Sequence, residues 1–327
     1  MPRRRDIEQE RSALRMLKDV PASEAAPAIA LTLADRSAFI VERAAEVAAH
    51  HDLKQLTPAV VEAFERLLAA GKEGDPQCAG KLALAKALAA FEYQDPAPFL
   101  AGMRYVQFEG WYPLTDTAAG LRGTCALALV QTELKDFEVL KHMVQLLQDR
   151  ESVVRTAAAQ AIAKVGTEAS SLLLRLRAQL GSDEPEVLGA CYEGVLKIEG
   201  TSALDWVHEF LQVEDEPGME AAMAISATHM VEGFHMLKER YELKERYELK
   251  ELSEPKELSG SLEDPWFGRG LLSAIALTRR QEATTWLLEL VEQRPREAAM
   301  AQAALCLSAP SADTLARLEQ LGRPCSR

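Results

Sequence analysis

An acidic residue, followed six positions later by a basic one and then by small residues, recurs along this chain, and a recurring unit constrains the fold more than any single residue can. The pairs are Asp75/Lys81, Asp116/Arg122, Asp149/Arg155 and Glu263/Arg269, and copies without the basic member begin near Asp35, Asp183, Asp215 and Arg294. The starts at 35, 75, 116, 149, 183 and 215 are 40, 41, 33, 34 and 32 residues apart, the length of a helix pair with its two turns. Each unit carries one Ala-rich helix pattern, such as Ala157, Ala158 and Ala161, and one Leu-rich pattern. The Leu-rich rows Leu172, Leu173, Leu176, Leu180 and Val60, Phe64, Leu67, Leu68 repeat at three- and four-residue intervals, the spacing of an apolar helix face. Glycines and prolines between units, among them Gly71, Pro76, Gly166, Gly200 and Pro217, stop or start helices. No period-2 run of β-branched residues competes, so the expectation is all-α with essentially no sheet.

The fullest copy, Asp149-Arg-Glu-Ser-Val-Val-Arg155-Thr-Ala-Ala-Ala-Gln-Ala-Ile-Ala, resembles the HEAT-repeat proteins in their shorter bacterial form, with an acidic turn, Val-Arg and an Ala-rich second helix. The resemblance runs from roughly Asp35 to Leu321 and is strongest over Asp149 to Leu180. It implies a right-handed α-solenoid of about eight antiparallel helix pairs, with residues 1–34 as a helical cap and residues 35–327 as the repeat array. It also implies that Asp75, Lys81, Asp116, Arg122, Asp149, Arg155, Glu263 and Arg269 form a ladder holding the turns of adjacent units. The other use of those cations is an anion-binding strip along the inner surface. A solenoid offers its inner, concave face to an extended partner. Thr156 and Gln160, four apart on one helix face, and Glu42 and Glu46 in the first unit are candidate contacts there.

Two places break the period, and insertions into repeats map to loops on one face. Phe91, Tyr93, Phe99, Tyr105, Phe108, Trp111 and Tyr112 put seven aromatics into 22 residues of a chain that is 6% aromatic. Phe108-Glu-Gly-Trp-Tyr-Pro113 has to turn, because Pro and Gly interrupt a helix interior. Phe108, Trp111 and Tyr112 either plug a wide gap between units or stand out as partner anchors, a role in which Trp and Tyr dominate. The second break is the tandem hexapeptide Leu237-Lys-Glu-Arg-Tyr-Glu-Leu243-Lys-Glu-Arg-Tyr-Glu-Leu249 within a charged segment at 237–260. Six residues advance about 240° around a helix, so Leu237, Leu243 and Leu249 do not share one face. The segment is expected to be a solvated insert, removable without loss of the fold, or a helical arm for a partner.

A formal net charge of −13 disfavours phosphate backbones, which are bound by cations that displace counterions. Nucleic acid is therefore not an expected partner, and another protein or peptide is. The longest apolar stretches fall far short of the roughly 20 residues that span a bilayer, and Asp6, Glu8 and Glu10 stand where a signal peptide needs its apolar core. The expectation is a cytoplasmic protein with no membrane partner. Cys78, Cys125, Cys191, Cys306 and Cys325 form no Cys-x-x-Cys pair and suit a reducing compartment, Cys125, Cys191 and Cys306 as small hydrophobes. There is no phosphate loop, nucleophile elbow or His-Glu-x-x-His zinc motif, so no catalytic, cofactor or metal residues are assigned. Deoxyhypusine hydroxylase, a HEAT-type enzyme, carries repeated His-Glu pairs, whereas this chain has only His208-Glu209. DNA glycosylases of this repeat type are basic where this chain is acidic. Phycobilin lyases resemble the repeat too and stand as the enzymatic alternative to a non-catalytic scaffold.

Overall fold

The computed structural model describes the backbone of residues 6–253 and 266–325, and the side chains of 6–245 and 266–325. Among the described residues the fold is helical, with one two-stranded hairpin. The chain forms two compact units, residues 1–165 and 166–327. The first comprises α1 (Ile7–Met16), α2 (Ala22–Leu33), α3 (Ala38–His50), α4 (Thr57–Gly74), α5 (Ala79–Ala90), α6 (Ala97–Met103), β1 (Phe108–Glu109), β2 (Thr115–Asp116), α7 (Ala119–Leu129), α8 (Asp136–Leu146) and α9 (Ser152–Val165). The second comprises α10 (Glu168–Gln179), α11 (Pro185–Glu199), α12 (Leu204–Leu211), α13 (Glu216–Ala227), α14 (Val231–Ser253), α15 (Trp266–Leu277), α16 (Gln281–Gln293), α17 (Ala298–Leu307) and α18 (Ala312–Gln320).

Within the first unit the Ala-rich helices stack side by side, α3 on α5, α5 on α7 and α7 on α9, while α4 packs on α5, α6 on α7 and α8 on α9. Small residues make the stack possible. A Cβ at Gly123 of α7 would lie 3.1 Å from the Ala157 Cβ of α9, so the missing side chain lets the two helices approach closely. The outer helices bury single apolar rows: Val60, Ala63, Phe64 and Leu67 of α4 are the i, i+3, i+4, i+7 positions. The second unit repeats the scheme, with α11, α13, α15 and α17 in contact in that order and α10, α12, α14 and α16 each packed on the next Ala-rich helix.

Among the described residues the only strands are β1 and β2, which pair antiparallel, Phe108 opposite Asp116 and Glu109 opposite Thr115, so the fold is all-α with almost no sheet, as expected. Three expectations from the sequence need correction. On α10 the row Leu172, Leu176, Leu180 is exposed, and Ser170, Ser171, Leu174 and Ala178 face inward instead. Both faces of this helix are apolar enough to pack, and its neighbours select the other one.

The hexapeptide segment is not wholly solvated. Its first copy is built into the second unit, with Leu237, Arg240 and Tyr241 buried. Arg240 donates to the carbonyls of Leu211 (3.1 Å) and Gln212 (3.3 Å) and pairs with Glu214 at 3.0 Å. The Tyr241 ring meets Trp286 edge-on. The helix runs on to Ser253, while the side chains of its second copy and the rest of the 237–260 segment lie outside the described residues. Finally, Cys306 is not a free small hydrophobe. It is disulfide-bonded to Cys325, brought to it by the chain turning back after α18.

Candidate functional site

The site is the hairpin of residues 106–117, and it is built from its base upward. Asp75 ends α4 and caps α5: its carboxylate accepts from the N–H groups of Gly80 and Lys81, both at 2.9 Å. This satisfies donors that a helix start leaves open and places negative charge at the positive pole. The cap holds a strained turn, because Gln77 and Cys78 both have left-handed φ, 60° and 58°. Lys81, six residues on, returns to Asp75 at 3.2 Å, and both side chains are shut off from solvent, at 0% and 1% exposure. A buried ion pair needs further partners to offset its desolvation. The Lys81 Nζ finds them in the Gly71 carbonyl (3.2 Å), the Gln107 Oε1 (3.2 Å) and the face of Tyr105, 4.9 Å from the ring centre.

Gln107 is the joint between this buried pair and the hairpin. Its Oε1 accepts from the Tyr105 hydroxyl at 2.7 Å as well as from Lys81, and its Nε2 donates to the Asp75 carbonyl at 2.9 Å and to the Glu109 carboxylate. Its backbone carbonyl accepts from the N–H of Thr117 on the returning strand at 2.9 Å. The Glu109 carboxylate accepts from the Gln77 N–H at 2.8 Å and from the Thr117 hydroxyl at 3.3 Å. Burial pushes the Glu109 carboxyl up, but the hydrogen bonds from Gln107, Gln77 and Thr117 and the charge of Lys72 together hold it below the usual carboxylate range. Asp116 on the second strand accepts from the Ala118 N–H (3.0 Å) and pairs with Arg122 at 2.8 Å. The Arg122 fork then grips both oxygens of Asp149, at 2.8 and 2.9 Å.

Above this base the tip is apolar and in water. Trp111 is 95% exposed and Tyr112 99%, flanked by exposed Val106, Phe108 and Leu114. The seven aromatics of the region therefore divide: Phe91 and Phe99 are core, Tyr105 lines the Lys81 pocket, Tyr93 is half-buried, and Phe108, Trp111 and Tyr112 project outward. The β1 segment runs inside-out, with Gln107 buried and Val106 and Phe108 exposed. Gln107 and Glu109 are the residues that sequence reasoning missed. Their signal was the four-residue alternation Val106-Gln107-Phe108-Glu109, which by itself assigns the apolar side to the core.

The other predicted residues fall elsewhere. Glu42 and Glu46 do not line a free face. α1 packs on α3, Arg11 reaches Glu42 at 3.4 Å, and Glu46 is held by Arg43 and by Lys18 at 3.9 Å. Burial is the main reason the Glu42 carboxyl is raised, with Arg11 opposing it. Thr156 returns its hydroxyl to the Ser152 carbonyl at 3.0 Å, and Gln160 is exposed on α9. Arg155 donates to the backbone carbonyls of Asp149 (2.7 Å) and Arg150 (2.9 Å). Arg269 is exposed on α15, and Glu263 lies outside the described residues. Among the described residues no group of three or more His, Cys, Asp or Glu side chains could hold a metal ion, and no helix is long and apolar enough to cross a membrane.

No family model and no curated protein shows a significant match to this chain. Among solved structures the chain is similar to one described as the crystal structure of an engineered protein, at 17% identity over 97% of this chain and 89% of that one, with a TM-score of 0.35. A likeness at that score carries no argument about fold or function.

Proposed function

We propose that this chain is a HEAT-type α-solenoid, a right-handed superhelix of about eight helix pairs, and that it serves as a non-catalytic scaffold or adaptor. Its partner is another protein or peptide laid along the concave face and anchored by the 106–117 hairpin. Support for the solenoid comes from the order of helix contacts in each unit and from the acid that caps α5, precedes α7 and begins the α9 turn in the same repeat position. Solution scattering of the full chain tests it: an elongated particle is expected, and a compact globule defeats the solenoid.

One observation carries the binding role. Trp111 and Tyr112 are almost wholly exposed, yet the loop that bears them is fixed at its root by a buried ion pair and a satisfied hydrogen-bond network. Ordering an exposed aromatic tip in advance removes an entropy cost that binding otherwise bears, and aromatic anchors of this kind dominate interface energetics. The acidic chain is a poor match for nucleic acid, which leaves apolar protein surface as the partner chemistry. The test is co-purification from the source cell with wild type and with the Trp111→Ala/Tyr112→Ala variant. A partner held at fixed stoichiometry by wild type alone supports the proposal, and equal retention by both removes the hairpin from it.

A further inference from the structure

The five cysteines belong to two chemical classes. Cys78, Cys125 and Cys191 are buried free thiols. Burial pushes Cys78 and Cys191 up to about 12 and raises Cys125 as well, so none of them offers a thiolate near neutral pH. Cys306 and Cys325 are disulfide-bonded, and both are partly exposed. Thiol chemistry is thus concentrated where the segment after α18 meets α17.

The element that this bond secures is weakly held otherwise. α18 has nine residues, of which only Thr314 and Leu318 are buried, whereas the neighbouring α16 buries Ala283, Trp286, Leu287, Leu290 and Val291. A helix this short is not stable alone, since isolated helices below about 12–15 residues are marginal in water. Its remaining attachments are few. Arg317 pairs with Glu292 of α16, its Nε at 2.8 Å. The Gln302 side chain of α17 donates to the carbonyls of Arg323 (3.1 Å) and Pro324 (2.9 Å). The disulfide closes the span of 19 residues from Cys306 to Cys325 and so limits how far α18 can depart.

We propose that α18, with residues 321–325, is a redox-latched cap on α16 and α17, closed while Cys306 and Cys325 are bonded and released when a dithiol reductant cleaves that bond. A thiolate of the reductant attacks one of the two sulfurs, the Cys306–Cys325 bond breaks, and a mixed disulfide forms. The reductant's second thiol then displaces the remaining cysteine. Two electrons and two protons pass to Cys306 and Cys325, and the reductant leaves as its own disulfide. Release uncovers the side of α17 that carries Gln302 and Cys306.

Hydrogen exchange of the full chain, purified without reductant and measured with and without dithiothreitol, tests the proposal. Reduction should lower the protection of the amides in 315–321 by ~100-fold, the scale of a lost cross-link of this span, and leave α11 and α13 unchanged. Cys325→Ser should show the fast exchange in both conditions, which separates loss of the bond from any other effect of the reductant. Equal protection of wild type with and without dithiothreitol would overturn the latch. So would peptide mapping that finds Cys306 and Cys325 as free thiols in the unreduced protein, or loss of protection spread through the whole second unit.

Discussion

At the base of the 106–117 hairpin Lys81, Asp75 and Gln107 are buried, whereas at its tip Trp111 and Tyr112 stand in solvent. The base holds charge where cores hold hydrocarbon, and the tip shows hydrocarbon where surfaces show charge. The base can do so because its polar atoms answer one another: Lys81 meets an acid, a carbonyl, an amide oxygen and a ring face, and Gln107 is bonded through both side-chain atoms. Within the hairpin region the tip has nothing comparable, since the apolar surface of Trp111 and Tyr112 gains nothing from being held in water. The contrast teaches that the base is a fold element and the tip is not, so the tip can be truncated while the base stays intact.

The largest effect is expected at the base. Lys81→Ala leaves the Asp75 carboxylate buried without its cation and the Gln107 oxygen short of a donor, and should cost about 3–5 kcal/mol in urea denaturation. A loss below about 1 kcal/mol would show the pair to be solvated and the contrast overstated.

A smaller effect should appear with acid. The Glu109 carboxyl is lowered in the folded chain, so the stability it contributes is present above its unfolded value and is lost as pH falls through the folded one. Proteolysis within 106–117 should therefore become faster below the ordinary carboxylate range, and Glu109→Gln should remove most of that pH dependence. An unchanged acid response in Glu109→Gln would assign the effect to other carboxylates.

The smallest effect belongs to the tip. Trp111→Ala/Tyr112→Ala should move the unfolding midpoint by no more than the ~0.5 kcal/mol typical of surface changes. Truncating a buried aromatic costs roughly 3–5 kcal/mol, so a large shift would mean that the tip packs against the chain after all.

Local spacing was enough for the helices. The Ala-rich and Leu-rich patterns mark real helices, and in α4 the row Val60, Phe64, Leu67 is the buried face, because one side of that helix is apolar and the other is charged. The acid positions of the repeat were legible too. Asp75, Asp116 and Asp149 sit at helix starts, where a carboxylate satisfies open N–H groups whatever surrounds it.

What local spacing could not supply was the choice of face and the long-range partner. Leu172, Leu176 and Leu180 share a row on α10, but so do Leu174 and Ala178, and only the placement of α10 on α11 decides that the second row is inside. Val106-Gln107-Phe108-Glu109 alternates whichever side is buried; Lys81, brought up from α5, makes the polar side the inner one. Arg240 and Tyr241 read as solvated copies of a hexapeptide until the Leu211 carbonyl and Trp286 meet them. Cys306 and Cys325 are 19 residues apart, and the turn after α18 makes them neighbours. Helical periodicity follows from the geometry of a few consecutive residues and is present in the sequence itself. Burial and pairing depend on which distant surfaces arrive, and so they belong to the tertiary structure.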